Sequence, residues 1–175
     1  AIYWAVKALD VAIQEKDRDI TTHEANTDMI VLHSLQNLFR YGGIVITQGP
    51  PDPNTGAPGG KDLFLSPDLR IFDSYNKATL AVLEKYADDR GRLEARQNGH
   101  RNMLKNAVLS FYQAGLRKKA QIILDQLRAQ YPAYTEFQVS LDQYAINRMK
   151  EELESIGVHD ATEQTVTLLA NAYRL

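Results

Sequence analysis

Residues 101–134 read RNMLKNAVLSFYQAGLRKKAQIILDQLRAQYPAY, and this stretch decides the fold. Leu104, Val108 and Phe111 recur at three- and four-residue spacing, as do Ala120, Leu124 and Leu127. Both sets describe one apolar face of a helix. Gly115 breaks the first segment and Pro132 closes the second, because proline has no N–H to continue a helix. The spacing predicts two helices, roughly 100–114 and 117–131, packed as antiparallel neighbours across a short turn.

Counted back from Pro132 in a 34-residue frame, Leu104, Val108, Phe111, Gly115, Ala120, Leu124, Leu127 and Pro132 take positions 4, 8, 11, 15, 20, 24, 27 and 32. This pattern resembles a tetratricopeptide repeat, a helix–turn–helix unit that stacks into a superhelix. The small Ala120 lets the second helix approach the first, and Phe111 fills the space between them. The match departs from the family at Val108 and Leu127, where small residues are usual, and at Leu104, where Trp is common. The resemblance implies an all-α chain of antiparallel helical hairpins stacked as a short solenoid. It also implies a protein-binding role.

Working outward, residues 1–19 carry Ile2, Ala5, Val6, Leu9, Ala12 and Ile13 at helical spacing. A second helix is expected from Thr21-Thr22-His23-Glu24, a capping-box pattern, to Gly42-Gly43, where glycine can take positive φ. A third is expected to open at Ser66-Pro67-Asp68 and end at Gly91. Residues 92–99 stay ambiguous, because Asn98-Gly99 is a turn signal inside a helix-tolerant run. Ser140 with Gln143 caps a further helix ending at Gly157, and Asp160 with Glu163 caps a seventh. In the tetratricopeptide reading, the helix closed by Leu38 and Gly42 pairs with residues 68–90. The helix at 1–19 then belongs to a preceding unit.

Residues 42–67 differ from the rest, holding six of the ten glycines and five of the six prolines. The central stretch from Gly49 to Gly60 cannot be helix. Its flanks, Ile44-Val45-Ile46-Thr47 and Leu63-Phe64-Leu65, are β-prone and can pair as a small hairpin with a floppy tip. An insertion of this length in a helical protein is usually functional or disordered.

The chain has 175 residues, 44% apolar and 24% charged, and a net charge of −2. Those figures suit one domain spanning 1–175 and exclude wholesale disorder. No apolar run approaches the roughly 20 residues of a membrane-spanning helix. With no cysteine, disulfides, iron–sulfur clusters and thiolate chemistry are excluded. The chain starts Ala1-Ile2-Tyr3-Trp4 with no signal-peptide pattern, and the apolar Leu168, Leu169, Ala172, Tyr173 and Leu175 run to the last residue. Both ends read as cuts in a longer chain, so the compartment stays open.

Charge is unevenly placed. Residues 90–119 hold Arg90, Arg92, Arg96, Arg101, Lys105, Arg117, Lys118 and Lys119 against Glu94 alone. Such a belt can hold an acidic partner. Arg92, Arg96, His100, Arg101, Lys105 and Tyr112 are its candidate partner-binding residues. The alternative is a solvated surface paired with neighbouring acids. No nucleic-acid motif accompanies the belt. The four histidines show no metal-ligand spacing such as H-E-x-x-H, and His33 reads as a surface or satisfied histidine. No G-x-S-x-G, Walker or dinucleotide motif occurs, and Gly59-Gly60-Lys61 lacks a following Ser or Thr. No catalytic, cofactor or metal residue is assigned.

Three functions remain open. The first is a non-catalytic interaction module within a larger protein, binding another protein or another part of its own chain. The second is an assembly subunit or peripheral domain of a large complex, whether membrane-attached or not. The third is a helical enzyme domain with residues 42–67 as its lid.

Overall fold

A computed structural model describes residues 2–14, 22–155 and Leu169. Among the described residues, six helices and one two-stranded sheet follow in the order α1 (Ile2–Gln14), α2 (Thr22–Tyr41), β1 (Gly43–Gln48), β2 (Lys61–Ser66), α3 (Phe72–Lys85), α4 (Arg90–Gln113), α5 (Arg117–Gln130) and α6 (Leu141–Ser155). The chain is therefore mostly helical, in the all-α class, with a small sheet. The ends of the first and sixth expected helices, Thr21 of the capping box and the caps of the seventh lie outside the described residues.

The packing centres on α4. Its Met103, Leu104, Ala107, Val108, Leu109 and Phe111 are buried. At 24 residues it runs roughly 36 Å, long enough to touch α3, α5 and α6 along its length. Against it, α5 buries Ala120, Ile123, Leu124 and Leu127. Ala107 and Ala120, both fully buried, remove the bulk that would hold two helices apart. Phe111 then carries the core across to α3, meeting Phe72 edge-on with ring centroids 5.4 Å apart. Phe39 of α2 continues that run to Phe72 and Tyr75. A second aromatic run, Tyr131, Tyr134, Phe137 and Tyr144, fills the connection from α5 to α6.

Three boundaries differ from the sequence reading. Residues 92–99 are helix, continuous with the segment after them, so α4 begins at Arg90. Gly91 does not end α3; it lies in the first turn of α4. The chain turns instead at Tyr86–Asp88, and Asp89 caps α4 by accepting the Arg92 N–H at 3.1 Å. Ser66 does not cap the third helix, because it is the last residue of β2, paired with Gly43. Asp68 takes that role, accepting the Arg70 N–H and opening a single 3-10 turn before α3.

The helix break at Gly115 is a Schellman ending. Gly115 takes φ 74°, and the Leu116 N–H reaches the Phe111 carbonyl at 2.9 Å. Gly42 and Gly43 end α2 for another reason, since neither has positive φ. A Cβ on Gly42 would lie 2.3 Å from the Leu38 carbonyl oxygen, so only glycine fits. Ser140 caps α6 as expected, accepting the Gln143 N–H at 3.2 Å.

Residues 43–66 form the expected antiparallel hairpin, with Ile44 opposite Leu65 and Ile46 opposite Leu63. Its tip is not floppy. Asp52 Oδ1 accepts the N–H groups of Asn54 and Thr55, an Asx turn. The backbones of Asp52 and Ala57, and of Gly49 and Gly60, bond across it.

Two substitutions check the account of α4. No atom lies within 4 Å of a Cβ built on Gly99. Gly99→Ala should therefore raise unfolding free energy by about 0.5–1 kcal/mol in denaturant titration. Asp89→Ala should lower it by about 1 kcal/mol, by loss of the cap. A destabilised Gly99→Ala variant would mean that α4 is not one helix.

Candidate interaction surface

The residues singled out from the basic belt all lie on α4, and the structure separates them into three groups. Arg92 and Arg96 point back toward the end of α3. With Lys85 they surround the Tyr86 ring, their charges 5.8, 5.5 and 5.6 Å from its centroid. The Tyr86 hydroxyl donates to Asp28 Oδ2 at 2.7 Å, and Lys85 Nζ donates to the same oxygen at 2.8 Å. Lys85 also reaches Glu24 at 2.7 Å, and Arg96 meets Met29 Sδ. Burial, and after it the bond to Asp28, hold the Tyr86 phenol far above its ordinary range. These cations join α2, α3 and α4. Breaking a buried charge pair of this kind typically costs several kcal/mol, because one charge is left uncompensated.

His100 is a correction to its place among the candidate partner-binding residues. It is 1% exposed and lies inside the helices, not on their surface. Its Nε2 lies 3.0 Å from Asn76 Oδ1 and its Nδ1 2.9 Å from the Tyr131 hydroxyl. With a carboxamide oxygen as acceptor, Nε2 carries the proton and Nδ1 is left to accept from the Tyr131 hydroxyl, which shares its proton with the Gln97 carbonyl 3.2 Å away. Burial lowers the pKa of this ring to about 4, so it is neutral at pH 7.

The third group faces the α5–α6 side. Arg101 sits over the Tyr134 ring at 4.1 Å, and Lys105 Nζ reaches Glu136 at 3.1 Å. The Tyr112 hydroxyl and Arg117 both donate to Asp142 Oδ1, at 2.7 and 2.6 Å. Lys119 pairs with Asp73 at 2.9 Å. The belt is thus largely engaged within the chain, which corresponds to the alternative of paired surface charge. His33 is exposed, in line with a surface histidine.

A contiguous apolar surface left uncovered among the described residues lies on the β-hairpin. Strand alternation puts Ile44, Ile46, Leu63 and Leu65 on one face of the hairpin, each 57–63% exposed. On the opposite face Val45 is buried and Phe64 half-buried. The Asp68 N–H donates to the Phe39 carbonyl at 2.9 Å, fixing the hairpin's return to the end of α2. Beside its base, α1 and α2 enclose an open groove of about 550 Å³ lined by Ile2, Tyr3, Leu38 and Tyr41 with Ser34 and Asn37. No acid or histidine among the described residues lines it. Trp4, 74% exposed, stands next to Tyr3 with their rings edge-on at 5.1 Å.

The sequence marks both flanks as β-prone but does not single out this face. The signal was present in the alternation of Ile44 with Ile46 and Leu63 with Leu65. Because Val45 and Phe64 are apolar too, the sequence cannot say which face meets the helices.

Among the described residues, no three His, Asp or Glu side chains are grouped as metal ligands. No described helix is long and apolar enough to cross a membrane. Comparison with protein-family models, curated proteins and solved structures returned no match to this chain.

The state of His100 predicts a pH dependence. The unfolded ring titrates near 6.5 and the folded ring near 4, so between these values the unfolded chain binds more protons. Stability is complete above pH 6.5 and falls as pH drops toward 4, by up to about 3 kcal/mol. Denaturant melts of wild type and His100→Gln at several pH values check this. The variant should be less stable at pH 7 and flatter across the window. An equally steep dependence in His100→Gln would reject the assignment.

Proposed function

We propose that this chain is a non-catalytic protein–protein interaction module built on tetratricopeptide-like helical hairpins, and that it binds through the apolar face of its β-hairpin. The observation that carries the reading is the contrast between its surfaces. The basic residues of α4 are largely spent on internal pairs, whereas four large aliphatic side chains stand exposed on an ordered arm. Scattered exposed apolar residues are normal, but a contiguous set on one face marks a contact site. The tetratricopeptide likeness is supported by the burial of Leu104, Val108, Phe111, Ala120, Leu124 and Leu127 between α4 and α5, and by the Gly115 turn. Against a regular repeat, α4 starts well ahead of the 101–134 frame.

A role as a structural subunit of a larger assembly is the second reading. The exposed Tyr3 and Trp4 on α1 favour it, because Tyr3 lines the groove with Leu38 and Tyr41 beside the hairpin base and Trp4 stands next to it. Both readings place the contact at the hairpin end.

Site-specific photo-crosslinking in the source cells separates these readings from a non-binding arm. A photoreactive residue at position 65 should give a discrete cross-linked species. The same residue at position 94, exposed on α4, should give none. Ile46→Lys should remove the product with the helical circular dichroism unchanged. No product at position 65, or equal products at both positions, would overturn the proposal.

A further inference from the structure

We infer that the hairpin receives its partner by strand addition along the outer edge of β1, and that the partner is an extended segment with aliphatic residues at alternate positions. This rests on the interaction reading above and specifies how the same surface is used.

The edge is chosen by backbone geometry. The Gly49 N–H donates to the Gly60 carbonyl at 2.8 Å. In an antiparallel ladder, bonded and non-bonded pairs alternate. With the observed register, the bonded pairs are 47–62, 45–64 and 43–66. The N–H and C=O groups of Ile44, Ile46 and Gln48 therefore point away from β2. No third strand adjoins the sheet among the described residues. Among the described residues, no backbone bond outside the ladder reaches these three residues.

The two edges are not equivalent. β2 carries Lys61 and Asp62, and edge charge discourages pairing with another chain. β1 reads GIVITQ, with no charge, no proline and three β-branched aliphatic side chains. It has the composition of a strand that pairs, left with one side unpaired.

Area decides between a strand and a second copy of this face. Four side chains at 57–63% exposure offer on the order of 400 Å². A stable dimer buries about 800 Å² on each partner. Two quartets stacked face to face fall short by about half. An added strand also gains main-chain hydrogen bonds, which are not counted in apolar area. Its alternate residues would lie beside Ile44 and Ile46, extending the aliphatic face by one strand. That periodicity defines the partner's chemistry.

The test is selection of a displayed random decapeptide library on the intact chain, followed by affinity measurement on synthetic copies of the selected peptides. Sequences with aliphatic residues at every second position should be enriched. N-methylation of alternate amides, which keeps the side chains but blocks pairing on one edge, should weaken binding at least about tenfold when placed on the pairing edge and little on the other. Bound peptide should slow hydrogen exchange at Ile44 and Ile46, and Ile46→Lys should weaken it by a similar factor. Insensitivity to both N-methylation patterns would show that the aliphatic face binds without strand pairing. That would overturn this inference and leave the interaction reading standing. Enrichment without alternation, no enrichment, or a stable dimer in sedimentation would also overturn it. Loss of the cross-link at position 65 bears on the interaction reading itself.

Discussion

Burial of one stripe along α4 is the constraint on which the rest depends. Leu104, Ala107 and Val108 are fully inaccessible, and they meet Ala120, Leu124 and Leu127 from α5. The small residues set how closely these two helices approach. Phe111 extends the same packing to Phe72, and through it to Phe39 on α2. Removing large side chains from such a stripe costs about 2–5 kcal/mol each, because the neighbours relax only partly into the cavity. The helices α3, α5 and α6 pack on α4 directly, α2 reaches it through α3, and α1 packs on α2.

The length of α4 has an electrostatic consequence. Because the helix continues through Asn98-Gly99, its first turns extend past the core and bring Arg92 and Arg96 to Tyr86. There they meet a junction already holding Lys85, Asp28 and Glu24. Charge that looks available in the sequence is thereby used to fix the angle between helices. One turn further, His100 enters the core, where its two hydrogen bonds suit a neutral ring. The same helix thus has a cationic start, a buried polar centre and an apolar second half.

The hairpin shows the opposite economy. Its backbone satisfies itself through the ladder and the Asx turn at Asp52, so the arm is ordered without covering both faces. One face gives Val45 and Phe64 to the protein, and the other leaves Ile44, Ile46, Leu63 and Leu65 outside. The arm is anchored at its base by Gly42, where only glycine fits beside Leu38, and by the bond from Asp68 to Phe39. An arm whose backbone bonds are already made would lose little further conformational freedom on meeting another chain.

Much of the fold was legible in local pattern. Period-3.6 stripes located the helices, Gly115 and Pro132 bounded α5, and the Gly/Pro-rich insertion with β-prone flanks announced the hairpin. Local chemistry misplaced some boundaries. Gly91 reads as a stop, yet Asp89 supplies a cap just before it and helix propensity tolerates glycine in a first turn. Ser66 reads as a cap, yet pairing with Gly43 claims it for the strand. The site was less legible. Arg92, Arg96, Arg101 and Lys105 form a cationic run in one dimension, and their acids and rings are Tyr86, Asp89, Tyr131, Tyr134 and Glu136, most of them far along the chain.

The sequence by itself determined the helical class, the hairpin and most helix limits, because these follow from spacing and turn chemistry within a few residues. Only the tertiary structure decided that His100 is buried, that the belt is internally paired, and which side of the hairpin is left uncovered. Each of those depends on which distant residues become neighbours. Burial and charge pairing are properties of the packed whole, and no local window contains them.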